Sequence, residues 1–308
     1  MSNTITSNQP AAVPVIAPPD ETTPSGKRSR RRGRVPPVVL MCFVIVAALV
    51  LVAIFAPIIA PHDPQKQTLL ARNRPPAWVS GGSTTYLLGT DNLGYDVFSR
   101  LIYGARISLS IGFLATLIGM LIGTTLGLVA GFFRGTLDWF IMLAVDAQLA
   151  MPFIVIAVAA VAAFGRGIPV LIVLAGISGW MLYARACRAT VIALREREFV
   201  TAAQALGASN GRILGKHILP NIGSIILVIV TIDLRRVILF EATLSFLGLG
   251  VQPPQSSWGS MIDIGREYLN TAWWVSIFPG LALMLTILAV SLIGDWLRDV
   301  LDPTLRLG

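Results

Sequence analysis

The sequence predicts an all-α integral membrane protein with six transmembrane helices and both termini inside. Three observations carry this. Of the 308 residues, 55% are hydrophobic and 13% charged, with a mean hydropathy of +0.74, whereas a soluble domain carries about 25% charged residues. The apolar residues gather in runs long enough to cross a ~30 Å hydrocarbon core. The Lys and Arg residues fall unevenly across the segments between those runs, which fixes the direction of the first crossing.

Residues 1–26 are rich in Pro, Ser, Thr and Asn and lack apolar periodicity, so a disordered tail is expected. Lys27, Arg28, Arg30, Arg31, Arg32 and Arg34 complete a basic cytoplasmic tail over 1–34. A basic block beside a span is the positive-inside signal, and it suits anionic lipid headgroups rather than nucleic acid. It holds much of the formal net charge of +8. The apolar run behind it ends in APIIAP without a small-residue cleavage site, so it reads as a span and not a secretory signal.

The first span is read over 36–59, within a segment 35–60, and an external segment follows over 61–106. The second covers 107–133, the third 140–164 with a kink expected at Pro152, and the fourth 168–185. The fifth covers 222–250 and the sixth 272–294. At 1.5 Å per residue the fifth would run about 43 Å, so a kink, a tilt or a non-spanning end is expected there. Spans two to six make one core over 107–296, and 297–308 is a cytoplasmic C-terminus. With the N-terminus inside, the inner segments hold 15 Lys and Arg and the outer ones 7, leaving Arg235 and Arg236 within span five. That bias supports the orientation.

Gly112, Gly119, Gly123, Gly127 and Gly131 lie in the second span, four of them at intervals of four. Small residues along one helix stripe let a neighbouring backbone approach closely. Trp258, Trp273 and Trp274 suit an interfacial belt.

Catalysis finds little support. The two cysteines, Cys42 and Cys187, and the two histidines, His62 and His217, form no cluster with metal-ligand spacing. A P-loop needs GxxxxGK followed by Ser or Thr, so that backbone amides and Lys cradle phosphates. Gly215-Lys216 comes nearest, but His217 follows it and Asn210 stands where the first glycine is required. No nucleophile elbow, HExxH or dinucleotide fingerprint occurs, so a non-enzymatic chain without its own cofactor or metal is expected.

Charges within the spans need protein or water around them. They are Asp146 in span three and Asp233, Arg235, Arg236 and Glu241 in span five. At 100° per residue, Asp233, Arg236 and Glu241 share an arc of about 140°, and Arg236 can pair with Asp233 three residues back. Arg235 points away from that arc and needs another partner, with Asp146 or a second chain as candidates. Two readings stand: charges lining a solute path, or a structural network at an interface.

Residues 195–221, REREFVTAAQALGASNGRILGKHILPN, are a polar-edged insert on the inner side. Phe199, Ala202, Ala203 and Leu206 fall at i, i+3, i+4 and i+7, which predicts a short amphipathic helix from Glu198 to Leu206. Gly207 ends it, Ser209 or Asn210 can cap a second helix entering at Arg212, and Pro220 marks re-entry into the membrane. The small residues would let the groove of another protein close over the helix. A lipid-surface helix would need more large apolar area.

TAAQALGASNGRILGKHILP resembles the cytoplasmic coupling motif of ABC-transporter permeases. In that motif Glu-Ala-Ala is followed after three residues by Gly and after nine more by Ile-x-Leu-Pro. Ala202, Ala203, Gly207, Leu219 and Pro220 match in register, while Thr201 stands for the Glu and His217 for the Ile. LGTDNLGYDVFSR (88–100) with YGARISL (103–109), and EATLSFLGLGVQPP (241–254) with SWG (257–259), are similar to segments of the dipeptide and oligopeptide permease family. Tyr95 stands where that family usually has Arg.

The likeness runs from about residue 36 to the C-terminal DPTLR and points to the C-type membrane subunit. It implies a type I ABC importer permease fold in a bacterial inner membrane. It also implies three kinds of partner: a homologous B-type permease, one or two ATPase subunits that bind ATP and Mg, and an extracytoplasmic solute-binding protein. The helix 198–207 would dock into an ATPase cleft and transmit its closure to the permease pair. The implied cargo is a dipeptide, an oligopeptide or a related solute; glutathione, nickel complexes, sugars and opines are also carried in the family. The alternative is an ion-coupled secondary transporter using Asp146, Asp233 and Glu241, which predicts inverted halves and no coupling loop.

Overall fold

A computed structural model describes residues 35–301. The tail over 1–34, its basic block and the C-terminal DPTLR lie outside the described residues. The first span is α1, Pro37–Ile54, followed after Phe55 by a short α2, Ala56–Ile59. An irregular segment follows, with one 3-10 turn, Leu69–Ala71, and one isolated bridge between Thr90 and Asp96.

The second span belongs to α3, Val97–Phe133, which has 37 residues. It is about 56 Å long, well beyond a hydrocarbon core. It begins ten residues before the expected 107 because Asp96 caps it, its carboxylate accepting from the Ser99 amide at 3.1 Å. The segment read as external therefore ends in irregular backbone at the cap rather than at 106. Arg134 and Gly135, both with positive φ, end the helix.

The third span, read as one kinked helix over 140–164, is instead two: α4, Gly135–Ala150, and α5, Phe153–Phe164, set 90° apart. Pro152 has no amide to donate and sits in extended backbone as the cap residue of α5, so the helical ladder stops there. The fourth span is α6, Ile168–Ile177, and α7, Trp180–Arg195, interrupted at Ser178–Gly179. It runs ten residues beyond the expected 185, so the cytoplasmic loop starts at the helix end.

That loop holds α8, Glu198–Ala205, and α9, Asn210–Arg212, and then a π-helical turn, Ile213–Ile218, leads straight into α10, Leu219–Phe246. Pro220 cannot donate and would crowd the preceding turn of an α-helix. The wider π turn, closed by the Leu219 amide on the Leu214 carbonyl, accommodates it. Span five ends at Phe246, and residues 247–250 form a turn, which accounts for the excess length seen in the sequence. Next comes α11, Trp258–Arg266, closed at its start by a reciprocal Ser257–Ser260 capping box. Last is α12, Trp274–Leu301, which carries the sixth span past 294 and into the expected C-terminal segment.

Among the described residues, four stretches are long and apolar enough to cross a membrane: Pro37–Ile54, Val97–Phe133, Ile168–Arg195 and Trp274–Leu301. The bent α4–α5 pair adds a fifth by the same measure. The 28-residue α10 has the length but carries Asp233, Arg235, Arg236 and Glu241.

The glycine stripe sets how α3 meets the fourth span. A Cβ on Gly119, Gly123, Gly127 or Gly131 would meet the backbone carbonyl of Gly176, Trp180, Ala184 or Arg188 in turn, at 3.0, 2.1, 2.6 and 2.8 Å. Both series advance by four in the same direction. The helices therefore run parallel in one register, as two crossings of the same sense must.

Candidate functional site

The helix α8 is fixed to the helical core along one face. Val200 is fully buried among Phe132, Cys187, Val191, Ile213 and Ile222, and Ala203 and Ala208 pack on the same cluster. The stripe read from the sequence therefore divides. Ala203 turns inward beside Val200, while Phe199 and Ala202 are exposed and Leu206 is 88% exposed. The sequence pattern missed Val200 because one apolar residue off the stripe carries no periodicity of its own.

The end of α8 is a Schellman motif. The Ala208 amide donates to the Ala203 carbonyl at 3.0 Å, and the Gly207 amide to that of Gln204 at 2.9 Å. Gly207 has φ +76°, a conformation costly for any residue with a Cβ, and open space around it. Thr201 is exposed, and its hydroxyl donates back to the Glu198 carbonyl at 2.9 Å. Ser209 takes the cap position of α9, but its side chain makes no capping bond.

Two contacts secure the base of this unit. Arg195 Nη1 donates to the Phe132 carbonyl at 2.7 Å and lies over the Phe132 ring, tying α7 to the end of α3. Arg134 and Glu196 meet at 2.9 Å, but both are solvated, so that pair adds little. His217, Leu219 and Pro220 lie at the junction of the π turn and α10, apart from the exposed tip. The His217 carbonyl accepts from Asn221 Nδ2 at 2.6 Å.

The charges in the spans do not form one cluster. Asp233 is fully buried, and its Oδ1 accepts from Arg236 Nη2 at 2.7 Å. Tyr183 donates to Asp233 at 3.2 Å, and Arg236 Nη1 donates to Ser178 Oγ at 2.9 Å. A Cβ on Gly179 would come within 2.8 Å of both Asp233 and Arg236, so the break between α6 and α7 is where this pair seats. Arg235 turns to Ser291 of α12 at 3.3 Å. Asp146, considered as its partner, instead bonds Arg185 at 2.6 Å, with both side chains more than half exposed.

Glu241 stands in a third network, 1% exposed. It accepts from Ser245 at 2.7 Å and from Ser108 of α3 at 3.1 Å, and the Trp258 amide donates to that same Ser108 hydroxyl. Gly259 packs on Ala242 and Ser245, where a Cβ would come within 2.7 Å. One bidentate pair escaped the sequence reading: Arg188 of α7 clasps Asp138 of α4, with Nη2 to Oδ2 at 2.6 Å. Asp138 lies just before the span as read, where a carboxylate raises no question.

The segment read as external is a knot around Asp91. Its Oδ1 accepts from the Leu93 and Tyr95 amides at 2.9 and 3.0 Å, and its Oδ2 from Arg100 Nη1 at 2.7 Å. The Arg100 guanidinium stacks 4.1 Å from the Tyr95 ring centroid. Trp274 Nε1 donates to the Thr90 carbonyl and Trp258 Nε1 to that of Leu101. These two tryptophans are 4% and 1% exposed, so they are core residues and not the interfacial belt expected; Trp273 is more exposed. The segments 88–100 and 241–259 are thus joints between helices.

Comparison with known proteins agrees with this architecture. Residues 123–307 match the family described as binding-protein-dependent transport system inner membrane component. Residues 26–76 match the N-terminal TM domain of oligopeptide transport permease C. A di/tripeptide transport system permease protein DppC of Pseudomonas aeruginosa is 43% identical over 258 residues, covering 84% of this chain and 85% of that protein. A glutathione transport system permease protein GsiD of Pectobacterium atrosepticum is 39% identical over 296 residues, 96% of each chain. A chain of the MetNI methionine ABC transporter, in an inward-facing crystal form, aligns with a TM-score of 0.54 at 21% identity. The alignment covers 67% of this chain and 97% of that one, and shows a shared fold.

Proposed function

Because this chain belongs to the family of binding-protein-dependent transport system inner membrane components, as the permease subunit of an ABC importer in a bacterial inner membrane, we propose that it is a C-type peptide permease worked through α8. It pairs with a homologous B-type permease, with one or two ABC ATPases inside and a solute-binding protein outside. The carried solutes are dipeptides, oligopeptides or related molecules, in keeping with relatives whose names specify di/tripeptide and glutathione transport. Nucleotide and Mg belong to the ATPases, since this chain has no phosphate-cradling loop.

One observation carries the proposal. The short helix α8 is clamped to the core through Val200 and Ala203, yet leaves Ala202 and Leu206 open to a partner. Such a helix moves with α3, α7 and α10 and not independently of them. An ATPase cleft closing over it would thus shift those helices and switch access. Thr201, Ala202, Leu206 and Gly207 form the docking face, Ala203 with Val200 holds it to the core, and His217, Leu219 and Pro220 form the hinge into α10. Asp233 with Arg236, and Glu241 with its serines, serve as structural latches. An ion-driven relay would need Asp146, Asp233 and Glu241 within one network, and they occupy three.

The test is co-purification of the ATPase with membrane-inserted variants. Leu206→Glu and Ala202→Glu should insert normally, lose the ATPase and lose uptake. Retention of the ATPase and full uptake in both would sink the proposal.

A further inference from the structure

On the outer side a cavity of about 310 Å³ opens between three parts of the chain. One is the outer end of α3, which presents Tyr103, Arg106 and Ser110 along one face. The second is Gln65 of the external segment, and the third is Gln255 and Ser256 of the loop between α10 and α11. The remaining wall is apolar, with Ile107 and Ile168. The size lies at the small end of ordinary ligand sites and suits a short solute.

Arg106 is the odd member. It makes no ion pair and no hydrogen bond among the described residues, and no Asp or Glu lines the cavity. Among the arginines of α3, α7 and α10 it alone lacks a partner: Arg100, Arg185, Arg188, Arg195, Arg235 and Arg236 are all bonded. Arg106 is exposed at the cavity mouth, and its guanidinium matches a carboxylate with two parallel N–H donors. The flanking amides and hydroxyls supply neutral donors and acceptors for a peptide backbone.

We propose that this cavity receives the incoming solute on the outer side, with Arg106 anchoring the C-terminal carboxylate of a short peptide. The inference rests on the peptide-importer reading above and adds to it the chemical group recognised and the residue that recognises it. It sets a specificity that the permease applies after the binding protein has released its cargo. It also predicts that the amide form of the same peptide passes without help from Arg106.

Uptake by the assembled transporter in proteoliposomes, with one unchanged binding protein, tests this. Dialanine and its C-terminal amide are compared in wild type, Arg106→Gln and Arg106→Lys. Arg106→Gln should lower dialanine uptake about tenfold, the worth of one charge-assisted contact, and shift amide uptake less than twofold. Arg106→Lys, which keeps the charge but not the fork, should recover only part of the loss. Equal loss of both peptides marks a packing, lipid-headgroup or binding-protein role, and an unchanged ratio marks no role; either overturns the anchor while leaving the importer reading intact. Failure of wild type to import either peptide overturns the peptide reading and the anchor with it.

A second readout does not depend on uptake. Gln255→Cys places a thiol at the cavity, while Cys42 and Cys187 are both buried. Millimolar dialanine should slow labelling of that thiol by a membrane-impermeant maleimide, dialanine amide should not, and Arg106→Gln should abolish the protection. Labelling at one rate in all cases counts against the site.

Discussion

Arg236 reaches back one helical turn to Asp233 at 2.7 Å and, with the same guanidinium, forward across the break between α6 and α7 to Ser178 at 2.9 Å. A single side chain thus neutralises a fully buried carboxylate and fills the gap left by an interrupted span. Removing one partner of such a pair leaves an uncompensated charge, at a cost of about 3–5 kcal/mol. Arg236→Ala should therefore lower the thermal stability of the detergent-solubilised protein sharply. The double change Asp233→Asn with Arg236→Gln should restore most of it. Equal stability of the single and double variants would show that the pair is incidental.

The external knot makes a parallel prediction with a different chemistry. Arg100 and Asp91 have side chains 2% and 3% exposed, and Arg100 also stacks on Tyr95. Asp91→Asn should cost about 3–5 kcal/mol. Arg100→Lys should fail to rescue, because an ammonium has neither the planar stack nor the fork. Yield of folded protein by fluorescence-detected size exclusion reads both.

The glycine register predicts opposite outcomes for two similar substitutions. Gly123→Ala would place a methyl 2.1 Å from the Trp180 carbonyl, so α3 and α7 must separate, for about 1–3 kcal/mol. Gly223→Ala, inside α10 with nothing within 4 Å, should be neutral or stabilising by up to about 1 kcal/mol. Melting curves of the two variants, measured side by side, decide this.

At the cytoplasmic helix, Gly207→Asn should be tolerated better than Gly207→Val, since Asn accepts positive φ and a β-branched residue does not. Space is not limiting there, so bulk alone predicts no difference. Glu196→Ala, which removes the solvated Arg134 pair, should leave uptake and stability within experimental error. A large effect of Glu196→Ala would mean that this pair acts in coupling.

Much of this was legible in the chain. The Phe199–Leu206 periodicity located α8, and Gly207 located its end. The four-residue glycine spacing announced a close helix contact but not its partner, because spacing records one face and says nothing of what lies against it. Pro152 announced a disturbance, but a local residue does not say whether the chain resumes at a small angle or at 90°. Arg106 was legible only as part of a recurring segment. Its lack of a partner emerges when α3, the external segment and the 251–257 loop converge.

By itself the sequence determined the membrane class, the order of the spans and the site of the helix α8. Each is written in local composition or in a period of a few residues. Helix spacing already paired Arg236 with Asp233, but tertiary structure alone decided that Asp146 meets Arg185, that Glu241 meets Ser108, and that Arg106 meets no partner among the described residues. The reason is physical. A buried charge is tolerated by whatever lies within about 3–4 Å of it, and residues more than 100 positions apart, such as Ser108 and Glu241, are brought to that distance only by the fold.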